Sequence, residues 1–538
     1  MEKVLGSLLP FTYASLTLIL MLIDVRKLSS NFNLSFDICI LGAGAAGITL
    51  ARELSKYSFE VGLVESGGFE PDESQRLYEG ETSGSIPTSL RYLSTSRMRW
   101  FGGTTNIWTG WCRPLDELDF EKRPWVNYSG WPISKAELDP FYERAADLCQ
   151  VESFRYTPEK SALEKSANWL RSDANLHSCF FHFSPPTRFG TLYRSDLVSS
   201  RNVTLLLHAN VLRLEVDSGG HQVKRVIASG LKGPSFSIQS RFFILACGGI
   251  ENARLLLASN SVLKSGIGNQ NDLVGRFFME HPHITRAKVL VWLDDEILQV
   301  YQGKVETGLF KHKIRAVLSA TERIQRQKGL LNFLLAIEKK LKMPATRTSF
   351  AERILQLDRG RRSELSSFSK ASERELEIRI EQAPDPENRV VLSSVRDRIG
   401  MRRAKLLWRM NELDFHTVEE ALGIMALELG ASALGRVKGL NGNYSQASQF
   451  FDRDAPFDGD RDAQLVLWHH HMGTTRMHSS EKRGVVDANC KVHGIANLFI
   501  AGSSVFPTSG TANPTLTIIA LALRLADHLR LQKNREPL

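Results

Sequence analysis

Cysteine is sparse and unpatterned. Six thiols stand in 538 residues, at Cys39, Cys112, Cys149, Cys179, Cys247 and Cys490, and no two make a CxxC pair. That argues against a disulfide framework and a cysteine-ligated zinc site, and points to a reducing, cytoplasmic setting. Repetition is lacking too: no 20–50-residue period marks a solenoid or propeller. Neither glycine (39) nor proline (19) is enriched as in collagen-like or low-complexity chains. Charge of one sign is only slightly in excess, with 68 Lys+Arg against 59 Asp+Glu. The basic run from Arg359 to Arg362 and the one ending at Lys342 carry no interleaved aromatic residues for base stacking. They read as solvated helix faces rather than nucleic-acid footprints.

What is present is a globular composition, 42% hydrophobic and 24% charged, with enough apolar surface to offset ordering entropy. The length corresponds to about three domain-sized units. Leu5 to Ile23 is largely apolar and approaches a membrane span in length, but no small-residue cleavage site follows it. Two readings stay open: a membrane association through residues 5–23, or an extension upstream of Met21, which would lead into the first strand.

The densest information begins at Asp37. Ile38 to Leu41 reads as a buried strand, and Gly42, Gly44 and Gly47 follow as GxGxxG. Ile48, Leu50, Ala51 and Leu54 then recur at helical spacing, and a second strand, Val61 to Val64, ends in Glu65. Each part has a physical task. Gly42 permits the tight turn, Gly44 lets backbone approach a pyrophosphate, and Gly47 lets helix and strand pack closely. The helix N-terminus offers N–H groups and positive dipole to phosphates. Glu65 accepts hydrogen bonds from ribose hydroxyls and repels a 2′-phosphate. The motif predicts dinucleotide binding without deciding between FAD and NAD.

A second dense region runs from Leu465 to Met477 and from Asn497 to Leu529. Leu498 to Ala501 reads as a buried strand ending in Gly502-Ser503-Ser504, and Pro514 opens an apolar helix with Asn513 as its cap. That places the positive end of a helix beside Asn513. The run His469-His470-His471 raises a metal site, yet in extended chain only His469 and His471 share a face, and no neighbouring carboxylate or cysteine completes a set. No metal is expected. A single histidine acting as general base fits better.

Together these segments resemble the glucose–methanol–choline (GMC) oxidoreductases, a family of flavoenzymes, from about Met21 to Leu529. Trp100-Phe101-Gly102-Gly103-Thr104-Thr105-Asn106 is similar to the family's glycine-rich segment against the isoalloxazine. Gly130-Trp131-Pro132-Ile133-Ser134 introduces a helix around Leu138 to Leu148. Phe242 to Asn260 resembles its strand-and-helix signature, and Met279-Glu280-His281-Pro282 a further family segment. In style, GTANPTLT is most like the pyranose-oxidase and fructose-dehydrogenase branches.

The resemblance implies an α/β fold: a Rossmann-like FAD-binding domain from 34–150, 205–285 and 484–533, and an interleaved α+β substrate domain on an antiparallel sheet from 151–204 and 286–483, with 1–33 as extension or anchor. It implies His470, from the HxxGT pattern, and Asn513 as the catalytic pair. The cofactor contacts it implies are Gly42, Gly44, Ala45, Gly47, Glu65, Gly102, Gly103, Thr104, Asn106, Val211, Gly502, Ser503, Pro514 and Thr515. Relatives with covalent FAD carry a histidine where this chain has Asn106 or Ile107, so the FAD is expected to be non-covalent. Ala501 replaces an aspartate found in several relatives.

The expected reaction is oxidation of a CH–OH group in an alcohol or sugar-like substrate to a carbonyl. Alternatives are a membrane-associated dehydrogenase subunit passing electrons to a cytochrome or quinone, a non-redox lyase of the same type, and a non-catalytic dinucleotide-binding module. Arg389 to Leu392, Gly400 and Lys405 to Arg409 read as a hairpin; Ala351 to Phe368 and Phe415 to Leu434 read as helices. Trp108 and Trp468 are candidates for a sugar-binding face.

Overall fold

Hydrophobic strands buried on both faces organise the first layer. Ile38, Cys39, Ile40 and Leu41 have no exposed surface, as expected where a parallel sheet is covered on each side. They end the strand Asn33–Leu41, which pairs in parallel with Val61–Val64 and with Ser235–Leu245. Val203–Leu207 extends the sheet beyond Val61–Val64, and Leu498–Ile500 lies parallel to Ser235–Leu245 on its other side. An antiparallel pair, Val223–Ser229 with Asn210–Val216, completes it. Leu22–Asp24 forms the edge beside Val203–Leu207. The computed structural model describes residues 21–28, 32–84, 91–151, 169–293, 295–303, 305–307, 312–338, 372–439, 464–467 and 469–533.

The fingerprint helix Ala45–Leu54 starts directly after Gly44, and it packs against the terminal helix Pro514–Lys533. That helix also packs on Lys135–Leu148, where Tyr142 Oη lies 3.0 Å from Thr517 Oγ1. Ser134 and Glu137 cap Lys135–Leu148 reciprocally, which satisfies backbone donors at its start.

A second sheet is wholly antiparallel. Its strand order runs Gly435–Gly439, Pro282–Val291, Ser372–Ile380, Phe333–Glu338, His312–Ala320, Leu176–Phe183, Trp111–Cys112. Val305–Thr307 and Gln464–Leu467 pair onto it as additional strands. Strands of both sheets cross the expected sequence limits: Val203–Leu207 spans the one at 204/205 and Pro282–Val291 the one at 285/286. Leu22–Asp24, counted with the extension, belongs to the first sheet, and Trp111–Cys112, counted with the cofactor segments, closes the second.

The expected hairpin forms as Arg389–Arg396 with Arg402–Trp408, with Gly400 at positive φ in its turn, and Glu81–Gly84 adds a third strand. The helix read at Phe415 to Leu434 is Glu412–Ala431, begun by Asn411, whose side chain accepts from the Asp414 N–H at 3.1 Å. Residues 351–368, 468 and 5–20 lie outside the described residues. Among the described residues no helix is long and apolar enough to cross a membrane. The six cysteines are free thiols, all buried except the half-buried Cys247.

Candidate active site

The strand-to-helix turn after Leu41 opens a cavity of about 540 Å³ that reaches the histidine run. Gly42 sits at φ 106°, a conformation glycine adopts without penalty. A Cβ on Gly47 would lie 1.9 Å from the Gly42 carbonyl oxygen, so helix and strand touch there as the spacing predicts. A Cβ on Gly44 would meet nothing within 4 Å. The turn is thus tight on its inner side and open on the cavity side. Glu65 accepts from the N–H groups of Ala43 at 3.0 Å and Gly67 at 2.9 Å, so its carboxylate also holds the glycine turn in shape.

Most of the sequence-predicted residues meet on this wall: Gly42, Gly44, Ala45, Glu65, Gly103, Thr104, Val211, Gly502, Ser503, Asn513, Pro514 and Thr515, with His470. Gly47, Gly102 and Asn106 are not on it. Gly47 serves the helix–strand contact. Gly102 lies at φ 98°, and Asn106 donates from Nδ2 to the Phe101 carbonyl at 3.0 Å, closing the loop on itself. Ala501, in place of an aspartate, is on the wall. The donor-rich turn, the buried acid and the open face at Gly44 fit a dinucleotide cofactor.

At the far end, His470 Nε2 lies 3.2 Å from Asn513 Nδ2, and His470 Nδ1 lies 2.9 Å from His281 Nδ1. His469 and His471 turn the other way. Their rings pack on Tyr92 at centroid distances of 5.7 and 5.6 Å, so the alternation read from the sequence holds. Among the described residues no group of three or more His, Cys, Asp or Glu side chains could hold a metal ion.

Beneath the run lies Glu280, fully buried. It accepts from the backbone N–H of His470 at 3.0 Å, from that of His281 at 3.1 Å, and from the Tyr92 hydroxyl. Burial lifts its carboxyl to about 7 despite these donors. Burial, with His281, His283, His471 and His469 nearby, holds the His470 imidazolium form well below the ordinary range. His281 is lowered to about 4 and His283 to about 3, mainly by burial. Burial would raise Glu377, but His283, at 2.5 Å, and Arg379 outweigh it and bring the carboxylate to about 2.

Sequence reasoning gave no role to Tyr92, Glu280 or His281, although it quoted the segment holding the last two. It also missed Arg97 and Arg99. Both line the cavity beside Glu251, at 2.9 and 3.5 Å, and both lie over the Tyr78 ring. Glu251 is 150 or more residues from either arginine, so no spacing could reveal that pairing. Trp108 and Trp111 line the cavity as well, with Trp108 Nε1 donating to the Thr187 carbonyl at 2.8 Å.

Residues 384–522 match the family described as GMC oxidoreductase, and residues 37–264 match FAD dependent oxidoreductase. The chain belongs to the GMC oxidoreductase family. It is an FAD-dependent oxidoreductase. The 6'''-hydroxyparomomycin C oxidase of Streptomyces lividus is 24% identical, with 92% of each chain covered. The fructose dehydrogenase large subunit of Gluconobacter japonicus is 26% identical, over 93% of this chain and 98% of that one. Among solved structures, pyridoxine 4-oxidase from Mesorbium loti shares the fold, with TM-score 0.55, 18% identity, and 93% and 100% coverage.

Proposed function

We propose that this GMC oxidoreductase oxidises a CH–OH group of a sugar-like or other alcohol substrate to a carbonyl, with His470 as base and Asn513 as hydrogen-bond donor to the reacting oxygen. One observation carries the reading: His470 Nε2 and Asn513 Nδ2 converge at 3.2 Å on the wall of the cavity that the glycine turn opens. FAD, when bound, supplies the hydride acceptor. His470 takes the hydroxyl proton at Nε2. Asn513, at the positive end of the terminal helix, stabilises the negative charge that develops on that oxygen. The indoles of Trp108 and Trp111 offer flat apolar faces suited to a sugar ring. Relatives named for oxidation of paromamine and paromomycin derivatives and for fructose dehydrogenation support this substrate class.

Non-covalent FAD belongs to the same proposal: Asn106 and Ile107 stand where a linking histidine would be, and acid precipitation should leave all flavin in solution. So does the division into cofactor segments 34–150, 205–285 and 484–533 and a substrate region of 151–204 and 286–483, supported by the two separate large sheets. The catalytic pair is tested by anaerobic reduction of the bound flavin with sugars, amino sugars and primary alcohols, followed by its absorbance. His470→Ala should slow reduction by about 10²–10⁴-fold and Asn513→Ala by about 10²–10³-fold, with flavin retained. Reduction of the His470→Ala enzyme at the wild-type rate by every competent substrate would refute the assignment.

A further inference from the structure

The ladder between two strands explains how His470 is held. Pro282 pairs with Leu467, and Met279 bridges to Met472. Between these points the chain carries two residues on one side, Glu280 and His281, and a longer stretch on the other, of which His469, His470 and His471 are described. The longer side must bow out, and it does so with His469 at φ 66°, a strained conformation for a residue with a Cβ. Glu280 and His281 fill the base of the bow. The Glu280 carboxylate takes the His470 backbone N–H, and His281 meets the His470 ring edge to edge, with ring planes at 83°.

The Nδ1–Nδ1 distance of 2.9 Å fixes a choice, because only one hydrogen fits between two ring nitrogens. If His281 donated it, neutral His470 would carry its own hydrogen on Nε2, pointing at the Asn513 Nδ2 donor 3.2 Å away. Two donors would then face each other. If His470 donates, both contacts are satisfied: Nδ1–H goes to His281, and the Nε2 lone pair faces Asn513 and the cavity. The second ring nitrogen of a histidine commonly sets what the first can do.

We propose that His281 is a positioning residue that accepts the His470 Nδ1–H, and so fixes the tautomer and ring orientation that present the Nε2 lone pair to the substrate hydroxyl. This rests on His470 being the base. His281 itself does not line the cavity; it acts through His470.

The test uses the FAD-loaded enzyme and the fastest reductant among pyranoses, amino sugars and primary alcohols. His281→Leu should lower the rate constant of flavin reduction at least about 100-fold. Flavin content should match wild type, and the half-saturating substrate concentration should stay within about threefold. His281→Asn, whose amide oxygen still accepts a hydrogen bond, should recover at least about tenfold of that loss, which a merely space-filling role would not predict. A second readout needs no turnover. In wild-type protein labelled with ¹⁵N-histidine, with His470 assigned through the His470→Gln variant, Nδ1 should carry the hydrogen and Nε2 should not. The inference falls if His281→Leu reduces at the wild-type rate while His470→Ala does not, if Asn rescues no better than Leu, or if Nε2 carries the hydrogen. Wild-type reduction by His470→Ala would instead overturn the assignment of the base itself, and this inference with it.

Discussion

At Glu280, burial and hydrogen bonding act in opposite directions, and the balance has a measurable consequence. The carboxyl accepts only from donors, which suits the ionised form, yet desolvation raises it to about 7 from 4.5. A raised folded-state value means the folded chain holds a proton that the unfolded chain has released between these limits. The group's stability contribution is therefore complete below about 4.5 and lost as pH rises through 7. Glu280→Gln removes this titration. Its stability relative to wild type should rise with pH across the window, by up to about 1.4 kcal/mol per unit, as read by denaturant unfolding at several pH values. A constant difference would contradict the raised value. The amide also cannot accept through its nitrogen, so the bow is held less firmly and flavin reduction should slow. His470 was legible as a residue type in a pattern. The carboxyl and imidazole that hold it were not, because they approach it across about 190 residues of chain.

Among the elements, the glycine turn and its helix show how one motif contains two different constraints. The Cβ of an alanine at 47 would fall 1.9 Å from the Gly42 carbonyl oxygen, a clash with backbone that only a shift of the helix relieves. Gly47→Ala should cost about 1–3 kcal/mol in unfolding free energy even without cofactor. Gly44 is different: its backbone is extended, at φ −85°, and a Cβ there meets nothing. Gly44→Ala should leave the unloaded protein as stable as wild type while weakening FAD uptake, because the added methyl group projects into the open side of the turn. Equal effects of the two substitutions on unloaded stability would reject this separation. The helix, its strands and the terminal helix were all readable from periodicity and capping residues, since these rest on neighbours within a few turns. The bow at His469 to His471 was not, because a mismatch in ladder length exists only once the partner strand is known.

Across the whole molecule, a buried ion pair ties together segments far apart in sequence. Arg123 and Glu381 are fully buried and bond in two places, at 2.7 and 2.6 Å, across 258 residues. The neighbouring Asp119 bonds to Asn332, and its backbone carbonyl accepts from Thr508 Oγ1 at 2.8 Å, on the segment that leads to Asn513. Arg123→Met leaves Glu381 charged and without its main partner, and should destabilise the fold by about 3–5 kcal/mol. Adding Glu381→Leu should recover much of that, because the lone charge is then gone. Equal stabilities of the single and double variants would show that the pair is not the linking element. The sequence alone determined the dinucleotide turn, its acid and the terminal helix, because each is written within one short stretch of chain, whereas the candidate base and donor were named through the resemblance to the family. The tertiary structure alone decided which groups orient that base, how the second sheet is ordered and where the cavity runs. Those contacts join residues whose separation along the chain carries no trace of their separation in space.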